Sequence, residues 1–321
     1  MERFKDLSGP KYFLYIVLIL ALSFFLPRII PGSPLSLSET DTYILNLSLP
    51  EDTFNAFKDY YSPDKPLISQ FLIYIKQILT LDLGYSFYFK MPVLALILGR
   101  IPWTLFLSMV SLVLSFSIAV PLAINEALNK KSSKIKLISI ISLQAIPMFL
   151  LGLIIQLIFS YRLRWFPSGG AYTVGIEFFT KDFYMDVLKH SFLPLVAIVM
   201  GEIPSLYIIA YNSARKINKE NYTLMANYLN IEPKDIKKKY IFYNMIPEML
   251  GKLNIQFIYA ITGSIFVESI FSYPGMGQLL KIAASSRDYP LMQGILLLIA
   301  FYGLFVTIVF ESLLKRFKMR Y

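Results

Sequence analysis

Two glutamates, Glu202 and Glu268, stand within hydrophobic segments of this sequence and are its first candidates for chemistry. Ionisable side chains are costly in lipid, so those that occur there usually face a cavity, a partner or another polar group. Glu202 lies in the middle of its segment, where it could line a transport path, act as a proton site or make a structural hydrogen bond. Glu268 lies near the end of its segment, and we expect it to pack against the turn at Pro274-Gly275 or to line the path.

Several kinds of enzyme site are excluded by residues that the sequence lacks. It contains no cysteine, and His190 is its only histidine, which excludes disulfides, thiolate chemistry and a histidine-built metal centre or Ser-His-Asp triad within this chain. The phosphate-binding pattern GxxxxGK[ST] is also missing: Gly251-Lys252 comes closest, but residue 246 is isoleucine. We therefore expect no catalytic residue, no metal site and no cofactor bound by this chain, and a membrane-embedded hydrolase is disfavoured.

The composition is that of a multi-spanning membrane protein. Of the 321 residues, 56% are hydrophobic and only 16% are charged, the mean hydropathy is +0.56, and the formal net charge is +10. A soluble domain carries about a quarter charged residues. An excess of positive charge could indicate nucleic acid, but in a membrane protein it more often reflects basic cytosolic loops.

Six apolar segments are long enough to cross about 30 Å of hydrocarbon. The first follows a short basic N-terminus and lacks a small-residue cleavage pattern after it, so we interpret it as a retained span rather than a signal peptide. A long segment of mixed character precedes the second. Within that segment, an apolar face at helical spacing is formed by Leu67, Phe71, Tyr74 (or Ile75) and Ile78, with Gln70 and Lys76 elsewhere. Because Lys76 interrupts what would be a marginal span, this pattern predicts an interfacial or extracytoplasmic helix. The predicted spans are Tyr12–Ile30, Trp103–Ile124, Leu137–Phe159, Phe192–Ala210, Leu253–Phe271 and Leu291–Phe310.

Lysine and arginine distinguish the two sides of the membrane. Six spans place both termini on one side, where the segments hold 19 basic residues; the much longer segments opposite hold 12. The positive-inside rule therefore predicts that both termini are cytosolic. This placement also explains the net charge without nucleic acid.

The longest cytosolic interval, Tyr211–Pro247, is too polar for lipid. Within it, Tyr222, Met225 or Ala226, and Leu229 recur at helical spacing, which predicts a short amphipathic helix. A basic run, Lys234–Lys239, follows; it suits a topology determinant and headgroup contact, or a contact with a partner. A soluble partner could reach this helix.

Turn-forming residues follow the end of the fifth span. Val267–Gly277 has the sequence VESIFSYPGMG, in which Pro274-Gly275 predicts a turn and Gly277 allows further backbone freedom. An amphipathic run and SSRDYP then lead into the last span. Such a helix stops, turns and re-enters, and irregular backbone at this depth is tolerated only against protein or a water-filled cavity. Gly263 and Ser264, earlier on the same span, indicate either close helix contact or a surface facing the substrate.

These segments resemble the permease subunits of ABC importers of the oligopeptide/dipeptide/nickel type, and more narrowly the first of the two permeases. The resemblance extends over nearly the whole chain and is most specific in VESIFSYPGMG with RDYP downstream. The matching pieces are ENYTLMANYLNI (220–231), VESIFSYPGMGQLL (267–280), RDYPLMQG (287–294), PGSP (31–34), DKPL (64–67), LDLGYS (81–86), RIPWTL (100–105), IP (146–147), WFPSGG (165–170) and LP (193–194).

The resemblance implies an all-α membrane protein with six transmembrane helices of type I ABC importer permease architecture and an extracytoplasmic segment between helices 1 and 2. It also implies a location in a cytoplasmic (inner) membrane of the bacterial type. It implies residues 1–95 as the first helix plus that segment, and 96–321 as the permease core with the cytosolic coupling loop 211–247. The implied partners are a second, homologous permease, two ABC ATPases that bind ATP and Mg²⁺, an extracytoplasmic solute-binding protein and the lipid bilayer. The substrate would be a peptide or a related small solute, with nickel or a metal chelate also in the family's range.

In that family the cytosolic loop carries an EAA motif followed after three residues by Gly, which forms a coupling helix docked on the ATPase. Here Leu224 and Met225 replace Glu and Ala, Ala226 matches the second Ala, and Asn230 replaces Gly. Asparagine is the usual non-glycine choice at a left-handed backbone position, so that change is mild. The implied site residues are Tyr222, Met225, Ala226, Leu229, Asn230 and Ile231 for docking, Glu202, Gly263, Ser264 and Glu268 for the path, and Tyr273, Pro274, Gly275 and Gly277 for the extracytoplasmic turn.

A secondary, proton-coupled transporter with no ATPase is the alternative from another class. Glu202 as its proton site would be the best support for that reading. In the importer, hydrolysis of ATP belongs to the partner, and this chain is a transport subunit rather than an enzyme.

Overall fold

The computed structural model of the chain describes residues 8–29, 65–129 and 134–318. These residues are almost entirely helical, with one two-stranded antiparallel pairing, Tyr85–Ser86 (β1) against Met91–Pro92 (β2). The helices are α1 (Ser8–Ile29), α2 (Leu67–Leu79), α3 (Val93–Leu128), α4 (Lys134–Gln144), α5 (Met148–Arg162, with π-helical geometry from Gln156), α6 (Lys181–Ile217), α7 (Asn221–Tyr228), α8 (Pro233–Ile270, with π-helical geometry over Ile236–Phe242), α9 (Met276–Ser285) and α10 (Tyr289–Lys318). The all-α membrane fold is confirmed.

Within residues 8–29, 65–129 and 134–318, four helices, α3, α6, α8 and α10, are long and apolar enough to cross a membrane. Each contains the greater part of a predicted span. The helices α3 and α6 have 36 and 37 residues, and at 1.5 Å per residue each is about 55 Å long, so both extend well beyond the hydrocarbon. The first predicted span, Tyr12–Ile30, lies within α1 except for Ile30, which is outside the described residues, and the total of six stays a prediction.

The predicted third span, Leu137–Phe159, is not a straight helix. It is divided between α4 and α5, which meet at a bend of 93° around residues 145–147. Proline disfavours helical geometry in the residue before it and lacks the N–H that a continuing helix needs. Pro147, in extended geometry just before α5, therefore ends one helix and starts the next. Counting this pair as one span raises the number of candidate spans in the described residues to five.

The predicted helix after the long segment is present as α2, and its inward face agrees only in part with the predicted one. Tyr74 is buried as predicted, and its hydroxyl lies 2.8 Å from that of Ser23 in α1. Leu67, predicted on the same face, is exposed, whereas Gln70, predicted elsewhere, is buried. The amide of Gln70 donates to the carbonyl oxygen of Lys65, and this hydrogen bond gives the buried amide a partner.

The described residues form two compact units. One draws its residues from 1–102 and 279–304, and the other from 103–278 and 305–321. The second unit contains two apolar clusters. One lies around Ala210, Ile241 and Met245, and the other around Ile198, Phe271 and Tyr273. The division into residues 1–95 and 96–321 stays a prediction.

Candidate functional site

The polar interval between α6 and α8 contains the predicted short helix, α7. It follows a turn at residues 218–220, and the N–H groups of Thr223 and Leu224 donate to the carbonyl oxygen of Glu220. The helix ends where the N–H of Ile231 donates to the carbonyl oxygen of Ala226, and Asn230 has a φ of 54°. The left-handed position that the sequence predicted for Asn230 is confirmed. Only a few residues join α7 to α6 and to α8.

Two faces of α7 have opposite surroundings. Thr223 and Ala226 are buried, and Ala226, 2% exposed, packs in the cluster of Ile241 and Met245. The other face carries large apolar side chains exposed to solvent, with Tyr228 81% exposed. That face comprises Tyr222, Leu224, Met225, Tyr228 and Leu229.

The structure therefore separates residues that the sequence analysis grouped together. Met225 is exposed, but its neighbour Ala226 contacts the chain's own core, so Ala226 fixes α7 in place rather than offering a surface. Tyr228, which the spacing argument missed, is the most exposed of the large apolar side chains of this helix. In an eight-residue helix with five apolar residues, spacing alone could not distinguish the two faces.

A groove of about 850 Å³ lies beside α7. Its walls come from the end of α3, the turn before α7 and the start of α8, and they are rich in amide side chains. The amide residues among them are Asn125, Asn129, Asn218, Asn227 and Asn230. Sequence reasoning singled out only Asn230, because the others lie far apart in the chain or outside the apolar spacing.

At the other end of α8, the segment Phe271–Gly277 is tightly packed. Tyr273 is fully buried, and its hydroxyl lies 3.0 Å from that of Ser191 on α6. Its ring meets Trp103 edge-on, with 5.8 Å between centroids. Burial raises the pKa of the Tyr273 phenol, so the hydroxyl remains protonated. This residue thus joins the ends of α8, α6 and α3.

Glu268 binds the turn that follows its own helix. Its Oε2 accepts a hydrogen bond from the N–H of Gly277 at 2.6 Å, and the hydroxyl of Thr104 accepts one from the N–H of Met276 at 2.8 Å. A Cβ on Gly275 would lie 2.4 Å from Glu268 Oε2, and one on Gly277 would lie 2.2 Å from the carbonyl oxygen of Ile265. The two glycines therefore permit close approach, and Glu268 makes the contact with the turn that we expected.

The loop WFPSGG also packs on this segment. The N–H of Gly170 donates to the carbonyl oxygen of Phe271, and a Cβ on Gly169 would lie 2.6 Å from that same oxygen. Gln156 donates to the carbonyl oxygens of Ser168 and Ile270. Two of the quoted motifs thus meet in one cluster.

In the other unit, LDLGYS and RDYP meet through a buried aspartate. Asp288 accepts hydrogen bonds from the hydroxyl of Ser86 and from the N–H groups of Tyr88 and Leu291. Burial raises the pKa of Asp288, and these donors oppose that rise. The sequence analysis quoted both motifs but did not identify Asp288 as the residue that links them.

The mid-span residues proposed for the path are buried within the chain. Glu202 accepts a hydrogen bond from Ser115 at 2.7 Å, across the interface of α6 and α3. Ser264 is fully buried, with the hydroxyl of Ser108 3.5 Å away. These contacts favour the structural alternative for both side chains.

Gly263 leaves room for a residue at the bend of the third span. A Cβ there would lie 3.0 Å from Sδ of Met148, and one on Gly201 would lie 2.8 Å from Cε of the same residue. Met148 therefore occupies a notch between α6 and α8. This supports close helix contact as the role of Gly263.

Comparison with known proteins identifies the family. Residues 111–321 match the family described as binding-protein-dependent transport system inner membrane component. The chain is 30% identical to a putative peptide permease protein of Brucella ovis, over 90% of this chain and 89% of the relative. It is 28% identical to the oligopeptide transport system permease protein AppB of Bacillus subtilis (85% and 84%) and 26% identical to the glutathione transport system permease protein GsiC of Escherichia coli (96% and 94%).

These similarities exclude the alternative of a secondary, proton-coupled transporter centred on Glu202, since the related proteins are ABC importer permeases. The family is also one of transport subunits rather than enzymes. The chain belongs to the inner-membrane components of binding-protein-dependent transport systems and is a transmembrane permease subunit of an oligopeptide/dipeptide-type ABC importer.

Proposed function

We propose that this chain forms half of the translocation path for a peptide in a transporter that contains a second permease, two ABC ATPases and an extracytoplasmic binding protein. The names of the relatives, which include a peptide permease and oligopeptide and glutathione transport systems, support a peptide as the substrate. ATP and Mg²⁺ are bound by the ATPases, and both termini of the permease are cytosolic.

The exposed apolar face of α7 carries this proposal. Five large apolar side chains lie exposed on a short helix in the interval that the charge distribution assigns to the cytosol. Contiguous apolar surface outside the membrane is characteristic of an interaction site. The ATPase docks on Tyr222, Met225, Tyr228 and Leu229, while Ala226 seats the helix on the permease core and Asn230 ends it.

The long helices on either side of α7 provide the route to the far end of the molecule. In the chain, α7 lies between α6 and α8, and these two helices contact each other extensively. Their far ends carry Ser191, Glu268 and the buried Tyr273 segment. A push by the ATPase on α7 therefore moves two rigid helices whose other ends hold the turn Tyr273–Gly277, and the path opens on alternate sides. A two-state helix arrangement, rather than local chemistry, couples hydrolysis to transport.

Uptake by the reconstituted transporter tests this proposal. The complete transporter in proteoliposomes should accumulate a labelled oligopeptide when ATP is supplied together with the binding protein. Replacing the catalytic glutamate of both ATPases should stop uptake while the complex still assembles. Uptake that continues with inactive ATPases, or that follows an imposed proton gradient, would refute the assignment.

A further inference from the structure

A second groove lies in the unit formed by residues 103–278 and 305–321, and its lining differs in character from that of the groove beside α7. It has a volume of about 460 Å³ and lies between α3 and the π-helical part of α8. The lining residues are Phe116, Ser117, Val120, Pro121, Ile124 and Asn125 from α3, and Lys237, Lys238 and Phe242 from α8. On α3 they form one continuous stripe of residues spaced at helical intervals.

The groove is polar at one end and apolar at the other. Asn125 and Lys237 meet at the polar end, where Lys237 Nζ donates to Asn125 Oδ1 at 2.8 Å. Phe116 lies nine residues before Asn125, or about 14 Å along the helix. Walls of phenylalanine, valine, proline and isoleucine connect the two ends.

Charge at the polar end is uncompensated within the groove. Lys237 and Lys238 are among its lining residues, and none of the lining residues is acidic. The neighbouring Asp235 is paired with Lys239, at 2.9 Å. The hydrogen bond to Asn125 holds one ammonium group at the rim without neutralising it, which leaves a site complementary to an anion.

The direction of this polarity matches the bilayer. Asn125 lies close to the end of α3 at Leu128, on the side that the charge distribution assigns to the cytosol, and Phe116 lies deeper in the span. An occupant must be anionic at the membrane surface and apolar below it. We propose that the groove binds one anionic phospholipid of the inner leaflet, its phosphate held by Lys237 and Lys238 and an acyl chain lying along Phe116, Val120 and Phe242.

The location of the groove gives this lipid a consequence for transport. Lys237 and Lys238 lie in the π-helical turn that follows α7, and Ile236 and Ile241 of the same segment pack in the cluster that holds Ala226. π-Helical turns often occur at functional sites. A lipid bound there contacts the junction of α7 and α8, so anionic lipid stabilises the seat of the docking helix.

Quenching by brominated lipids tests the proposal directly. Because the chain has no cysteine, Ser117→Cys provides a single labelling position inside the groove. Leu122→Cys provides a matched position that is exposed on the same helix but outside the groove. The label is read in the assembled transporter in nanodiscs that contain brominated phosphatidylglycerol or brominated phosphatidylcholine.

We expect the label at position 117 to be quenched much more strongly by phosphatidylglycerol than by phosphatidylcholine, and the label at 122 to be quenched equally by both. Each lysine near an anionic headgroup contributes about fivefold to lipid association, so Lys237→Gln with Lys238→Gln should reduce the preference at 117 by up to about 25-fold. Lys219→Gln with Lys234→Gln removes the same charge from exposed residues outside the groove and should leave the preference unchanged.

Equal quenching at 117 by the two lipids would overturn the proposal, as would an unchanged preference after loss of Lys237 and Lys238. Shielding of position 117 from both lipids would also overturn it, because another subunit would then cover the groove. The inference relies on the proposed function for the choice of leaflet and for the role of α7 as the docking helix. Crosslinking of α7 to the ATPase, described below, does not involve this groove, so either proposal can fail without the other.

Discussion

The carboxylate of Glu268 accepts a hydrogen bond of 2.6 Å from the N–H of Gly277, nine residues further along the chain. This bond closes the turn after α8. It also gives one of the two glutamates within hydrophobic segments a partner inside its own chain. The same turn brings the backbone of Gly277 against that of Ile265, where no side chain fits.

Replacing Gly277 with alanine should destabilise the permease. The added Cβ would meet the carbonyl oxygen of Ile265 at 2.2 Å, and because that atom is backbone it cannot rotate away. We expect a loss of about 3 kcal/mol, the upper end of the range for overpacking, measured as a fall in thermal stability in detergent. Gly251→Ala is the matched control, since a Cβ there meets nothing within 4 Å. Equal stability of the two variants would contradict the close packing of this turn.

Tyr273→Phe should weaken the same cluster by a smaller amount. The substitution keeps the buried ring against Trp103 but removes the hydroxyl that lies 3.0 Å from Ser191. Ser191 retains its hydrogen bond to the carbonyl oxygen of Val187. We expect a loss of about 0.5–1.5 kcal/mol, and no loss for Tyr259→Phe, whose side chain is exposed on α8. A double-mutant cycle with Ser191→Ala checks the pairing, and strictly additive effects would argue against it.

The stability of the first unit should depend on pH through Asp288. Burial raises the pKa of Asp288 in the folded chain, so the folded state holds a proton at pH values where the unfolded chain has released it. The contribution of this group to the free energy of unfolding is therefore full below the unfolded pKa and falls as the pH rises toward the folded pKa. The melting temperature of the wild type relative to Asp288→Asn should decline over that interval. A difference that increases with pH would mean that the hydrogen bonds from Ser86 and Tyr88 outweigh burial.

Met225→Glu should disrupt docking without unfolding the permease. Met225 is exposed, so the substitution should change stability by no more than about 0.5 kcal/mol. A carboxylate on the apolar face of α7 should reduce the ATPase that co-purifies by tenfold or more. Ala226→Glu should instead lower the melting temperature of the permease itself, because it buries an unpaired charge. Normal co-purification with Met225→Glu would remove that face from the docking surface.

The sequence located most elements of the site but not the directions of their side chains. Apolar runs and turn residues predicted α7, the end of α8 and a left-handed Asn230, because these depend on local backbone preferences. The two faces of α7 depend on which neighbours pack against it, and the exposed and buried residues are both apolar. The bend at Pro147 was hidden by an apolar run of spanning length.

Contacts between distant segments could not be predicted at all. Ser86 and Asp288 are 202 residues apart, and neither has a local pattern that names the other. The place of Met148 between Gly201 and Gly263 depends in the same way on the packing of three helices. For Glu202, the sequence left a path, a proton site and a structural bond open, and the contact with Ser115, which favours the structural bond, is visible only in the fold.

Crosslinking from α7 tests the docking claim most directly, since a cysteine placed in this chain is its only one. Tyr228→Cys lies on the exposed face, and Ala226→Cys lies two residues away on the buried face of the same helix. In the assembled transporter, a short bifunctional reagent should join residue 228 to an ATPase subunit in a manner that changes when ATP is bound, and residue 226 should give no product. Crosslinking from 226 but not from 228, or from neither, would contradict the assignment of α7 as the helix on which the ATPase acts.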